Sequence, residues 1–149
     1  MMPTEVRALM LSQHEGIRAL AHTMLASAER VRAGSSEEAG HLDAATAALA
    51  RAIAAHNADE QRLLEQALPS ADAWGAIRCA SMDDHHRREH VAMRAAIKVL
   101  MKDTPPERLF ARLRAFVDDL LRHMEVEERV LLHSSVLRDD VCVIDTFGG

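Results

Sequence analysis

The sequence predicts an all-α fold, an up-down-up-down antiparallel four-helix bundle with a short irregular C-terminal tail, on three observations. All four prolines, Pro3, Pro69, Pro105 and Pro106, fall where helices would begin or end. The stretches between them are rich in Ala, Leu, Arg, Glu and Met, which favour helix, and nothing alternates like a sheet. Apolar residues recur in alternating steps of three and four, the period of a helix with one buried face.

The first helix is expected from about residue 4 to residue 33, ending at Gly34-Ser35-Ser36. Ser35, followed three residues later by Glu38, reads as a capping box that opens the second helix, which ends near Leu68-Pro69. A third starts between residues 70 and 77 and reaches about residue 102. Thr104-Pro105-Pro106-Glu107 then supplies an N-cap, a proline at the first helical position and a capping glutamate for a fourth helix, which runs to roughly residue 133. Long helices joined by short loops make antiparallel neighbours. Residues 1–135 are thus expected to form the bundle. Residues 136–149 form a tail in which Val141, Val143, Ile144 and Phe147 lack helical periodicity.

A chain of 149 residues is the size of one domain, able to bury about 68–70% of the surface its unfolded form exposes. Its 48% hydrophobic and 28% charged composition is globular, and no apolar run approaches the roughly 20 residues that span a bilayer. Disorder and membrane partners are therefore not expected. The 18 basic residues are scattered among 23 acidic ones for a net charge of -5, so the footprint of a nucleic-acid binder is missing. Cys79 and Cys142 are too few for a disulfide framework, and no basic-then-apolar signal opens the chain, so a reducing cytoplasm is the expected location. Nine histidines beside no tyrosine, one tryptophan and three phenylalanines call for a chemical reason.

The buried stripes supply one. Helix two reads Leu42, Ala45, Leu49, Ala52, His56, Glu60, Leu63, Ala67, and helix four reads Leu109, Leu113, Phe116, Leu120, His123, Glu127, Val130. Each stripe is apolar until it meets a His and a Glu one turn apart. A buried imidazole or carboxylate needs a partner, because desolvating it costs several kcal/mol unless it is paired or holds a metal. One such pair reads most simply as an ion pair on a solvated face; two, inside the stripes of different helices, point to a metal. Helix three adds His86 and His90, which are also one turn apart, and helix one adds His14, between Met10 and Ile17. In antiparallel packing His14 is level with His56 about the first loop, and His86 with His123 about the third.

The predicted ligand set is therefore His14, His56, Glu60, His86, His90, His123 and Glu127. Five imidazoles and two carboxylates exceed the four ligands of a structural zinc. Two six-coordinate irons, bridged by both carboxylates and by an oxo or hydroxo group, would use this set and keep one open position. A carboxylate-rich site of the ferritin type needs two Glu-x-x-His motifs, and the sequence offers only Glu38-Ala39-Gly40-His41.

Together these residues resemble the hemerythrin-like (HHE cation-binding) family over about residues 10–133. The resemblance is carried by His14-Glu15-Gly16-Ile17, by His56-Asn57-Ala58-Asp59-Glu60, by His86 with Glu89-His90-Val91-Ala92-Met93-Arg94, and by His123-Met124-Glu125-Val126-Glu127-Glu128. Some family members place the last bridging carboxylate five residues after the histidine, which leaves Glu128 beside Glu127; the stripe favours Glu127. His85 competes with His86 in the same way, but only His86 stands one turn from His90.

The resemblance implies a non-heme diiron protein that binds dioxygen, or a related small ligand such as nitric oxide, as carrier, store or sensor. It also admits an enzyme acting on peroxide or nitric oxide, and iron handling or iron–sulfur repair. The absence of tyrosine argues against a tyrosyl-radical oxidase. With no signalling domain in the sequence, any output would pass through a separate partner, and the partners expected are a homodimer or an unidentified protein. His41 and His85 are expected in solvent and His133 at a helix C-terminus, while His22 is rotated about 80° from His14 and stands outside the ligand set. Most methionines and Cys79 are expected in the core, and Cys142 is a tail thiol.

Overall fold

The protein is described by a computed structural model that covers residues 1–70, 74–81, 86–100, 102 and 104–140. Among these residues there are five α-helices, one 3-10 turn and no strand: α1 (Pro3–Arg32), α2 (Glu38–Ala67), the 3-10 turn Leu68–Ser70, α3 (Gly75–Ser81), α4 (Arg87–Leu100) and α5 (Pro106–Val130). Among the described residues no helix is long and apolar enough to cross a membrane. The expectations for His85, Met82, Met101 and Cys142, and for the apolar residues of the tail beyond residue 140, lie outside the described residues.

α1 opens with Pro3 in its first turn and with the Glu5 carboxylate accepting the Met2 backbone N–H at 2.8 Å. It closes on Gly34, whose φ of 95° suits only glycine well. The Gly34 N–H donates to the Val31 carbonyl and the Ser35 N–H to that of Arg30, so two of the last orphan carbonyls are satisfied. The capping box expected at Ser35 does not form. Glu37 occupies the N-cap in helical conformation, and Glu38 is drawn instead into an ion pair with Arg30 at 3.0 Å. Thr104 likewise gives up its expected cap: Pro105 is the N-cap of α5, and the Thr104 hydroxyl accepts from Arg112 Nη1 at 3.1 Å.

The third helix predicted to reach about residue 102 is met by α3 and α4, and residues 82–85, between them, lie outside the described residues. α3 packs against the 3-10 turn, so closely that a Cβ on Gly75 would lie 1.8 Å from the Leu68 carbonyl oxygen. α4 packs on α2 and α5. Cross-helix pairs give the directions. Gln13 meets Asp59 and Arg30 meets Glu38, so α1 and α2 run antiparallel; Arg18 meets Glu128 and Arg32 lies over Phe110, so α1 and α5 do too.

Two apolar clusters fill the interior. The larger joins Ile17, Met24, Leu49, Ile53, Ile97, Leu113, Leu120 and Met124 with their neighbours; the smaller joins Val6, Met10, Leu63, Leu64, Leu68, Leu131, Leu132, Val136 and Leu137. Tail residues Val136 and Leu137 are therefore core, and Asp139 accepts from the Thr4 hydroxyl and backbone N–H. Cys79 is half-buried against the smaller cluster. The stripes hold with three differences: Val130 is 48% exposed and Leu109 half-buried where burial was expected, and Ile53, not Ala52, is the buried residue on its turn.

Candidate metal centre

Between the two clusters lies a polar layer. On α1, His14 is set between buried Met10 and Ile17; on α2, His56 and Glu60 are set between Ile53 and Leu63; on α5, Glu127 falls between Leu120 and Leu131. His86, in a π-helical turn, and His90 on α4 complete the layer with His123 of α5. His14 and Glu60 are fully buried, Glu127 is 2% exposed, and all seven predicted residues are in mutual contact through their neighbours.

The side chains sort into two groups able to hold a cation. His86, His90, His123 and Glu127 form one; His14, His56 and Glu127 form the other. Glu127 belongs to both: its Oε1 is 2.5 Å from His123 Nε2 and 2.9 Å from His86 Nε2, and its Oε2 is 3.1 Å from His14 Nε2. Glu60 Oε2 lies 2.8 Å from His86 Nε2, 3.4 Å from His90 Nε2 and 3.9 Å from His56 Nε2, so this carboxylate also faces imidazoles of both groups.

All five rings turn Nε2 toward the centre. His14 and His56 bring these nitrogens within 3.2 Å of each other, and His90 and His123 within 3.0 Å. Three rings have acceptors on the outer side: His14 Nδ1 donates to Glu128 at 2.8 Å, His56 Nδ1 to Gln13 Oε1 at 2.9 Å, and His123 Nδ1 to Glu89 at 3.0 Å. A proton held on Nδ1 leaves a lone pair on Nε2, the form in which imidazole binds a metal. Meanwhile, among the described residues, Glu60 Oε1 and Glu127 Oε2 are buried without a hydrogen bond. Inward lone pairs and orphaned carboxylate oxygens are costly in a dry interior and are what a cation would satisfy. The residues fit a metal site.

The charges respond to this crowding. Burial opposes a charge on His86, but hydrogen bonds to Glu127 and Glu60 overcome it and raise its pKa to about 10. For His14, too, burial is outweighed, here by Glu127 and Glu128, and the pKa rises. His90 goes the other way, lowered by burial despite its contact with Glu127. Burial would raise Glu127, yet its imidazole contacts, led by His123, hold it well below the usual carboxylate range.

A model of the hemerythrin HHE cation-binding domain matches residues 6–133, most of the chain and all seven residues of the layer. The chain belongs to that family. No curated protein and no solved structure matches it.

In this hemerythrin domain the remaining described histidines stay outside the layer. His22 and His133 are exposed, with His133 Nδ1 accepting from the Ser135 N–H in a local turn, and His41 is 74% exposed beside Glu38. Glu127 faces the centre while Glu128, one residue on, faces away to His14 Nδ1 and Arg18. Sequence reasoning missed the outer residues Gln13 and Glu89, and weighed Glu128 only as an alternative bridge. Their signal was adjacency, each standing beside a predicted ligand on the same helix. A cavity of about 170 Å³, lined in part by His86 and His90 and bordered by Asn57, Gln61, Arg87 and Arg94, opens beside the layer.

Proposed function

We propose that this hemerythrin domain holds two non-heme iron ions joined by a bridging oxo or hydroxo group, and binds dioxygen or a related small ligand such as nitric oxide. His86, His90 and His123 would hold one iron and His14 and His56 the other, with Glu127, common to both groups, and Glu60 facing imidazoles of each. The observation that carries this reading is the sharing of Glu127 between a three-histidine and a two-histidine group. Five imidazoles and two shared carboxylates would leave one coordination position open to a small ligand. When bound, the iron pair supplies that position and the electrons to hold a diatomic ligand reversibly.

The protein's own residues account for the rest. Glu128, Gln13 and Glu89 keep three imidazoles aimed inward, and the apolar residues on both sides of the layer exclude bulk water. The 170 Å³ cavity beside His86 and His90 gives a small ligand room next to the layer. Taken with α3 and α4 as a single third arm, the antiparallel pairs support an up-down-up-down four-helix bundle, and we read its role as that of a carrier, store or sensor.

The test is metal analysis with an optical spectrum of aerobically purified protein. Two irons per chain with oxo-bridged charge-transfer bands are expected; a single zinc would overturn the reading.

A further inference from the structure

We infer that Glu128, steadied by Arg18, is a positioning residue for His14 and sets how tightly the two-histidine half of the centre holds its metal. The inference rests on the two-metal reading of the site. His14 is fully buried on α1, with Nε2 3.1 Å from Glu127 Oε2 and Nδ1 2.8 Å from Glu128 Oε1. Consecutive residues of α5 differ in direction by about 100°, so the two neighbouring glutamates contact opposite sides of one imidazole. Glu127 meets the nitrogen that faces the centre, and Glu128 holds the proton on the other. A carboxylate on Nδ1–H fixes the tautomer and ring orientation and makes Nε2 a stronger donor.

Glu128 is itself held. Arg18, one helical turn beyond His14, donates from Nη2 to the same Glu128 oxygen at 2.7 Å and from Nη1 to Glu15 at 2.6 Å. The pair is about one-quarter exposed, so the chain of contacts leads from a buried imidazole to the surface of α1. The other imidazole of this half, His56, has the neutral Gln13 amide on Nδ1, itself fixed by a 2.9 Å hydrogen bond to Asp59. Among the described residues, Glu128 is thus the anion that backs an imidazole on this half, as Glu89 backs His123 on the other. The half with two imidazoles depends more on each of them.

The experiment is a cobalt(II) titration of the full chain against a competing chelator, followed by the d–d absorption bands and by NMR of the paramagnetically shifted imidazole N–H protons. In wild type, two cobalt ions bind. In Glu128→Gln, one of the two affinities is expected to fall about 10–100-fold, the range typical for loss of an outer partner. The other affinity holds, and one exchangeable Nδ1–H signal shifts or broadens. Arg18→Gln should act in the same direction with a smaller effect, and Glu125→Gln, exposed on the same turn, should leave both affinities as they are.

A merely structural role would lower the melting temperature of the metal-free chain and weaken both metals together, and that result overturns the inference. So does an unchanged titration in Glu128→Gln while wild type binds two ions. Loss of both ions in Glu128→Gln would make Glu128 a direct bridge and overturns it equally. Fewer than two ions in wild type overturns the two-metal reading and the inference with it.

Discussion

Glu127 stands where two groups of imidazoles meet, so its neutralisation has a different reach from that of any single histidine. Glu127→Gln is expected to remove metal from both groups, whereas His123→Ala should weaken chiefly the three-histidine one; metal content per chain after gel filtration distinguishes the two. Equal, partial loss in both variants would mean that the carboxylate is not shared. The raised pKa of His86 makes a second prediction. In the metal-free chain its proton stabilises the fold fully below the unfolded value of about 6.5, and that contribution is lost as pH rises through about 10. A metal needs the same Nε2 unprotonated. Metal uptake near pH 7 should therefore release acid, and affinity should climb with pH toward about 10. A weakly buffered titration with an indicator dye checks this, and uptake without acid would show His86 to be neutral beforehand. At this scale the inward-facing residues were legible because a charge that interrupts an apolar stripe stands out against its own helix. Glu128 was not legible as a partner of His14, because the two meet across helices and 114 positions apart.

At the scale of elements, two glycines can be tested. Gly34→Ala places a Cβ in the left-handed region at the end of α1 and is expected to cost about 1–2 kcal/mol. Gly75→Ala meets the Leu68 backbone and forces α3 away from the 3-10 turn, with an expected cost of about 1–3 kcal/mol. Thermal melts should show each as a drop of about 2–4 °C per kcal/mol, and a Gly75→Ala protein that melts with wild type would mean that α3 is not seated as described. The extents of α1, α2 and α5 could be read from proline, glycine and periodicity. Their caps could not, because Ser35 and Thr104 have competing partners: backbone geometry and a pull on Glu38 by Arg30 in one case, and Arg112 in the other. The outer bounds of the third arm, Gly75 and Leu100, were legible to within a few residues from the same signals.

For the whole molecule, metal should stabilise by mass action, about 2.7 kcal/mol when free metal exceeds Kd about 100-fold. Melts of the loaded and metal-free chain at pH 7.5 are expected to differ by several degrees; coincident curves would mean that the layer does not hold the fold together. The burial of Val136 and Leu137 could not be foreseen, because two apolar residues set no period. A consequence of the two separate clusters remains. α1 and α2 pass unbroken from one cluster to the other through the polar layer, like beams gripped at both ends and joined at midspan by a single clamp. Whatever tightens or slackens that clamp changes how freely one end of the molecule can rock against the other. A change in what the centre holds would thus be felt as stiffness at the far ends of the same beams, more than 10 residues away along α1 from His14 to Arg30, without any helix having to unwind.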